Sequence, residues 1–280
     1  RPISFTLVVD DFGIKYINKA DVLHLKEILE RKYTVCIDWT GSQYHGITLE
    51  WNYDQHWVRL SLPGYILRVL HRFGYHRKRL QHSPHIYYPP KLGAKVQYSP
   101  PPDDTDLLSP ADHKEIQEIV GCLQFYAHAV DNTLLRALVS IGTQQAAPTQ
   151  RTRYRVNHLL DYCATHPNAQ VTYHASDMVL HVESDASFQS ESKARSCGVG
   201  YFYMSDVLPS STRPPNQHDP QPKMNGPVLV RVKVLREVLS SAAEAELATV
   251  FHNSKAACPL RVALLEMGHP QPPTPIVTDN

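Results

Sequence analysis

The clearest alternation of apolar and polar positions lies in the last hundred residues. Residues 178–188 (M-V-L-H-V-E-S-D-A-S-F) predict a strand that ends on Asp185. Residues 198–204 (G-V-G-Y-F-Y-M) and 228–235 predict two more strands. Residues 240–251 (S-S-A-A-E-A-E-L-A-T-V-F) predict a helix, and 276–280 (I-V-T-D-N) a closing strand. The stretch from Cys258 to Gly268 continues or follows that helix. The order is three strands, a helix and a fourth strand, with an acid on the first strand, on the helix and near the end of the last. Tyr201, Phe202 and Tyr203 alternate faces of the second strand and are expected in the core and on the sheet surface.

Upstream, residues 5–9 and 12–17 predict a hairpin with Asp10 and Asp11 at its tip. Val22, Leu25, Ile28 and Leu29 have helical spacing within 18–32, with Asn18 and Asp21 as start signals. Residues 33–38, 43–51 and 56–61 predict a three-stranded meander. Residues 63–74 predict a helix with Pro63 near its first turn and Gly74 at its stop. Ser109 and Pro110 open another, with Ile116, Ile119, Val120 and Leu123 as its core stripe. Two further helices are expected over 134–145 and 153–165. The Pro-rich stretch 83–106 predicts an extended linker, and 206–227 a surface insertion between two strands. The expected units are 1–62, 63–172 and 173–280.

Composition narrows the class. The 280 residues carry 42% hydrophobic side chains and a net charge of +1, so any electrostatic footprint for a polyanion must be local. Two local clusters stand out: Arg68, Arg72, Arg77, Lys78 and Arg79, then Arg151, Arg153 and Arg155. Each fits a solvated face as well as phosphate contact. Cys36, Cys122, Cys163, Cys197 and Cys258 are scattered, odd in number and without C-x-x-C. They predict reduced thiols in an intracellular protein, with no disulfide frame or zinc site. No signal peptide and no apolar run of 18 residues is present. The chain begins on Arg and stops one residue after Asp279, and is expected to be a piece of something longer.

Asp185, a helix Glu and Asp279 form the strongest candidate site. Phosphodiester hydrolysis uses two divalent cations about 3.5–4 Å apart. Mg²⁺ takes carboxylate oxygens and keeps water and phosphate in its other positions. Ser241 and Glu244 have capping-box spacing, which gives Glu244 a structural role. The pattern favours Glu246 for the site and leaves Glu244 open. Asp10 and Asp11 fit a metal-binding hairpin for phosphoryl transfer, but by themselves they fit turn chemistry better.

The motifs, taken together, resemble one family. L-V-V-D-D-F resembles the Y-x-D-D hairpin of reverse transcriptases, with Val8 where that family has Tyr. Q-Y-H-G-I-T-L-E-W, P-G-Y-I-L-R-V-L-H-R-F-G and the 120–131 segment resemble successive motifs of Ty1/copia retrotransposon polyproteins. S-D-A-S, L-S-S-A-A-E-A-E-L-A and T-D-N resemble the RNase H signature of the same family. The resemblance runs in family order across nearly the whole chain.

It implies an α/β (α+β) fold: a reverse-transcriptase palm remnant with a helical thumb, then an RNase H-like βββαβ domain. It implies Mg²⁺ at Asp185, Glu246 and Asp279 for hydrolysis and at Asp10 and Asp11 for nucleotidyl transfer. The partner would be RNA–DNA hybrid or primer–template, gripped by the basic helix after Pro63. The family's other polymerase Asp would precede residue 1, and its last RNase H residue would follow Asn280. The location implied is a cytoplasmic particle or the nucleus. Two other readings stay open: an inactive or domesticated remnant that at most binds nucleic acid, and a nuclease whose first 170 residues only dock substrate.

Overall fold

The computed structural model describes residues 3–87, 102–207 and 222–279. Most of the two Pro-rich stretches, 88–101 and 208–221, lies outside the described residues. The protein is a mixed α/β structure with three sheets and no barrel.

The N-terminal hairpin forms as expected, β1 (Ser4–Val8) against β2 (Asp11–Lys15), joined by a two-residue turn. Val9 sits in that turn at φ +57°, a backbone region that favours Gly and strains a β-branched residue. α1 (Lys19–Glu30) is capped by Asn18, whose Oδ1 accepts from the Ala20 N–H, and it buries only Val22.

Residues 33–38 do not form the expected strand. A strand needs a neighbour for its N–H and C=O groups, and the sheet that follows is filled by other segments. Asp38 ends this run in a turn instead. Its carboxylate accepts from the backbone N–H of Thr40 (2.9 Å), Ser42 (2.6 Å) and Gln43 (3.1 Å) and from both neighbouring hydroxyls. The Thr40 and Ser42 hydroxyls hold that carboxyl well below its ordinary range.

The second sheet has the order β3 (Gln43–Tyr44), β4 (Ile47–Asn52), β5 (Trp57–Ser61), β6 (Gln170–His174). β6 arrives from over a hundred residues downstream and pairs with β5 from Trp57↔His174 to Ser61↔Gln170. This pairing crosses both expected boundaries, 62/63 and 172/173. Between β5 and β6 lie α2 (Tyr65–Arg72), α3 (Pro110–Ala129), α4 (Leu135–Gly142) and α5 (Gln150–Thr165). Ser109 caps α3 with Pro110 in its first turn, and Ile116, Ile119, Val120 and Leu123 are all buried, as the periodicity predicts. These helices bury the main core, with Ile66, Tyr126, Leu134, Leu138, Ile141 and Leu159 at its centre.

The third sheet has the order β10 (Ile276–Val277), β7 (Val179–Glu191), β8 (Arg195–Ser205), β9 (Pro227–Val234). β7, β8 and β9 are antiparallel, and β10 runs parallel to β7. α6 (Ala242–Glu266) crosses from β9 back to β10. It is one helix of 25 residues that passes through Pro259, so 258–266 continues the helix. α6 covers one face of the sheet, packing Ala257 and Leu264 on Leu180, Val182, Phe202 and Met204. Val230 and Val232 on the opposite face of β9 pack against the helical core. Phe202 and Tyr203 are buried as expected.

Polar ties join this sheet to the rest, among them Asn225 and Glu191. Asn225 acts as a one-residue strand: its amide accepts from the His174 N–H (2.8 Å) and donates to the carbonyls of His174 (2.9 Å) and Met204 (3.0 Å). Glu191, buried at the far end of β7, takes the Arg136 guanidinium and the Ser140 hydroxyl (3.3 Å) from α4.

Candidate metal centre

The centre is assembled by register. β10 pairs Ile276 with Val182 and Val277 with Glu183. Two residues further along these parallel strands, Asp279 comes level with Asp185. Asp185 lies within β7 opposite Val199 of β8, not at a strand end, because β7 continues to Glu191. It is β10 that stops short, and this leaves Asp185 exposed.

The third carboxylate comes from α6. Its sheet-facing stripe is Glu246, Thr249, Asn253, Ala257 and Leu264, all buried and spaced in helical turns. Glu244 falls two residues off this stripe and is exposed. Its N–H donates to Ser241 Oγ (3.1 Å), and its carboxylate accepts from the Ser240 N–H (2.7 Å) and hydroxyl (2.6 Å). Ser241 caps the helix through the Glu244 N–H as expected, the Glu244 carboxylate turns to Ser240 and not to the cap residue's own N–H, and Glu246 is the acid that reaches the sheet.

Three features hold Glu246 in place. Its Oε1 accepts from the Ala186 N–H at 2.8 Å, and its Oε2 accepts from the Thr278 hydroxyl at 2.9 Å. One helix side chain is thereby bonded to both β7 and the segment after β10. Two turns on, Asn253 Nδ2 donates to Ser184 Oγ (3.1 Å) and to the Val199 carbonyl (3.0 Å). Gly198 and Gly200 of β8 lie directly under α6. A Cβ at Gly198 would overlap Thr249, and one at Gly200 would overlap the Asn253 amide. The helix reaches the sheet this closely because both positions lack a side chain.

Asp185, Glu246 and Asp279 each offer a carboxylate oxygen, and these atoms lie within 4.8 Å of one another. Glu246 is 5% exposed while the two aspartates face solvent, so the cluster is anchored on one side and open on the other. Carboxylates this close repel when ionised. A divalent cation relieves that repulsion, and an all-oxygen donor set suits a hard ion such as Mg²⁺ or Mn²⁺. Among the described residues, this is the single group of three or more His, Cys, Asp or Glu with converging donor atoms. No family model, curated protein or solved structure matches this chain.

The other candidate residues are placed elsewhere. Asp10 and Asp11 are exposed at the β1–β2 turn and have no third acid with them. Asp11 Oδ2 lies 3.9 Å from His45 Nδ1. Of the first basic cluster, Arg72 pairs with Glu118 of α3 at 2.9 Å. Arg79 lies 3.5 Å from the buried Asp161 and 3.1 Å from His158 Nδ1. Arg72 and Arg79 therefore brace the helices. Arg68, Arg77 and Lys78 are exposed. Arg151 pairs with Asp103 and Asp104, and Arg153 with Asp112 and Glu115.

Sequence reasoning missed Ser184, Asn253 and Thr278, and the role of Gly198 and Gly200. Asn253 stands seven residues after Glu246, and G-x-G in the second strand marks a close approach. Both signals become specific only once the helix is known to lie on that strand. Burial pushes the Cys197 thiol beside the centre up to about 11, so it is a packing group and not a ligand. No helix among the described residues is long and apolar enough to cross a membrane.

Proposed function

We propose that the C-terminal part, from β7 to the end of the chain, is an RNase H-like unit that hydrolyses the RNA strand of RNA–DNA hybrids. The observation that carries this reading is the convergence of Asp185, Glu246 and Asp279 from a strand, a helix and the end of a parallel strand. The order β10-β7-β8-β9 and the helix before the last strand support it, as do the motif resemblances to Ty1/copia polyproteins.

In this reading the three carboxylates hold Mg²⁺. The bound metal supplies water activation and charge stabilisation at the leaving oxygen. The chain's own residues fix the site. The Ala186 N–H and the Thr278 hydroxyl hold both oxygens of Glu246 in one orientation. Asp185 and Asp279 stay on the solvent side, where a phosphodiester can approach. Asn253 and the two glycines set the height of α6 over the sheet and so the distance from Glu246 to both aspartates. The hydrolytic reading does not use Asp10 and Asp11, whose polymerase role rests on the resemblance alone.

The test is cleavage of an RNA–DNA hybrid, labelled on the RNA, by the full chain in Mg²⁺. Cleavage is expected from the wild type and absent from Asp185→Asn, with hybrid binding retained by that variant. Cleavage that survives Asp185→Asn, or a wild type that binds the hybrid and leaves it intact, would sink the reading. The second outcome would favour a remnant that only binds nucleic acid.

A further inference from the structure

Most arginines that the fold uses in ion pairs are neutralised by a nearby acid: Arg59, Arg72, Arg79, Arg136, Arg151 and Arg153 each have a carboxylate within 4.0 Å. Other cations make no such pair among the described residues: Arg68, Arg77 and Lys78 of the first basic cluster, and a second group beside the acidic centre. Arg231 and Lys233 on β9, Arg236 just after it and Lys255 on α6 form no ion pair with a described residue. Lys233, Arg236 and Lys255 are exposed. Arg231 is half-buried and donates to the His252 carbonyl at 2.8 Å, a contact that leaves its charge uncompensated. The His252 imidazole reports the local field: burial, and then Lys233 and Arg231, hold it below its ordinary range, opposed by Glu237.

The position of this surface matters. Lys233 pairs with Gly198, which pairs with Ala186, the residue whose N–H holds Glu246. Two strand spacings put Lys233 about 10 Å from that point. Lys255 stands nine residues after Glu246, about 13 Å along the helix. On α6, Phe251 is 55% exposed. The Lys255 ammonium lies 4.4 Å from the centre of the Phe251 ring. An exposed ring next to an ammonium group, near further cations and an acidic centre, is the complement of a nucleic-acid strand, with sugar and base on the ring and phosphates on the ammonium groups.

We propose that the β9–α6 face, through Lys233, Lys255 and Phe251, holds a phosphodiester strand of the hybrid three to four nucleotides from the acidic centre. The spacing follows from about 3.4 Å of rise per nucleotide. This proposal rests on the hydrolytic reading for its substrate and adds a binding surface separate from the basic cluster around Arg77. Charge decides for nucleic acid over an apolar protein partner, since Arg231, Lys233 and Lys255 act on His252 against Glu237 in a chain whose net charge is only +1.

The experiment is a salt titration of binding between the Asp185→Asn chain and a fluorescent RNA–DNA hybrid, followed by anisotropy. Lys233→Gln with Lys255→Gln is compared with the parent. Removal of two phosphate contacts should lower the slope of log K against log salt by about 1.8 and weaken binding at 0.1 M salt about tenfold or more. The Mg²⁺ response of thermal stability, measured in the chain with Asp185 intact, should stay unchanged. An unchanged slope in a parent that binds the hybrid overturns the surface, whatever the cleavage assay shows. A wild type that does not cleave overturns the hydrolytic reading, while the slope still decides the surface. If polyglutamate of equal charge competes as well as the hybrid, the surface takes acidic protein and the proposal fails.

Discussion

Replacing Glu246 by Gln should have opposite effects on stability without and with metal. The substitution keeps both hydrogen bonds. The Gln carbonyl can accept from Ala186, and the amide can donate to the Thr278 hydroxyl, where Glu246 now has contacts of 2.8 and 2.9 Å. What changes is charge. Carboxylate oxygens within 4.8 Å of one another repel, at that upper limit of distance, by about 3.5 kcal/mol at an effective dielectric constant of 20 and about 0.9 kcal/mol in water. Asp185 and Asp279 are exposed, which moves the value toward the water limit. Relief of two such repulsions is then worth about 2 kcal/mol. Without divalent metal, Glu246→Gln should therefore melt about 4–8 °C above the wild type, at about 2–4 °C per kcal/mol. Mg²⁺ at a hundred times its Kd should stabilise the wild type by about 2.7 kcal/mol, and the variant hardly at all. The order of stability reverses on adding metal. Differential scanning fluorimetry in EDTA and in a Mg²⁺ series reads both arms. A variant that melts lower in EDTA, or that keeps the wild-type Mg²⁺ response, would refute the assembly of these three carboxylates into one ion site.

Further outcomes follow from the packing. Gly200→Ala places a Cβ against the Asn253 amide; it should cost about 1–3 kcal/mol in denaturant unfolding and weaken the Mg²⁺ response by lifting α6. His85 is half-buried; burial first, then Arg136, Arg155 and His158, push its pKa down to about 4. That lies below the unfolded value of about 6.5, so the unfolded chain binds the extra proton between these limits. Stability is thus full above about pH 6.5 and lost as pH falls toward 4, by about 2 kcal/mol at pH 5. Urea unfolding of His85→Gln at pH 7.5 and 5.0 should show that much less acid sensitivity than the wild type, and equal sensitivity would refute the burial account.

The sequence by itself determined what depends on neighbours a few residues apart. The hairpin at Asp10 and Asp11, the Ser109–Pro110 helix start and the buried stripe from Ile116 to Leu123 all follow from local spacing and capping. So does the Ser241 cap on the Glu244 N–H, because a cap closes within one turn. The order of strands and helix in the C-terminal part was legible for the same reason, and with it the three candidate acids.

Tertiary structure decided whatever needed a distant partner. Residues 33–38 have strand-like composition, yet the place beside β5 goes to β6, whose partner is over a hundred residues away. Asp185 reads as a strand-end acid, and only the stopping point of β10 shows that it is exposed within a longer strand. Arg72 and Arg79 belong to a basic cluster along the chain, but Glu118 and Asp161 meet them only after the helices pack. Glu246 and Asp279 are separated by 33 positions, and their meeting at Asp185 depends on the parallel register of β10 and on two glycines that let α6 reach the sheet. Local pattern fixes which residues can carry a charge or bury a face. Which of them share a site is set by register and close packing, and these depend on contacts that no short stretch of sequence contains.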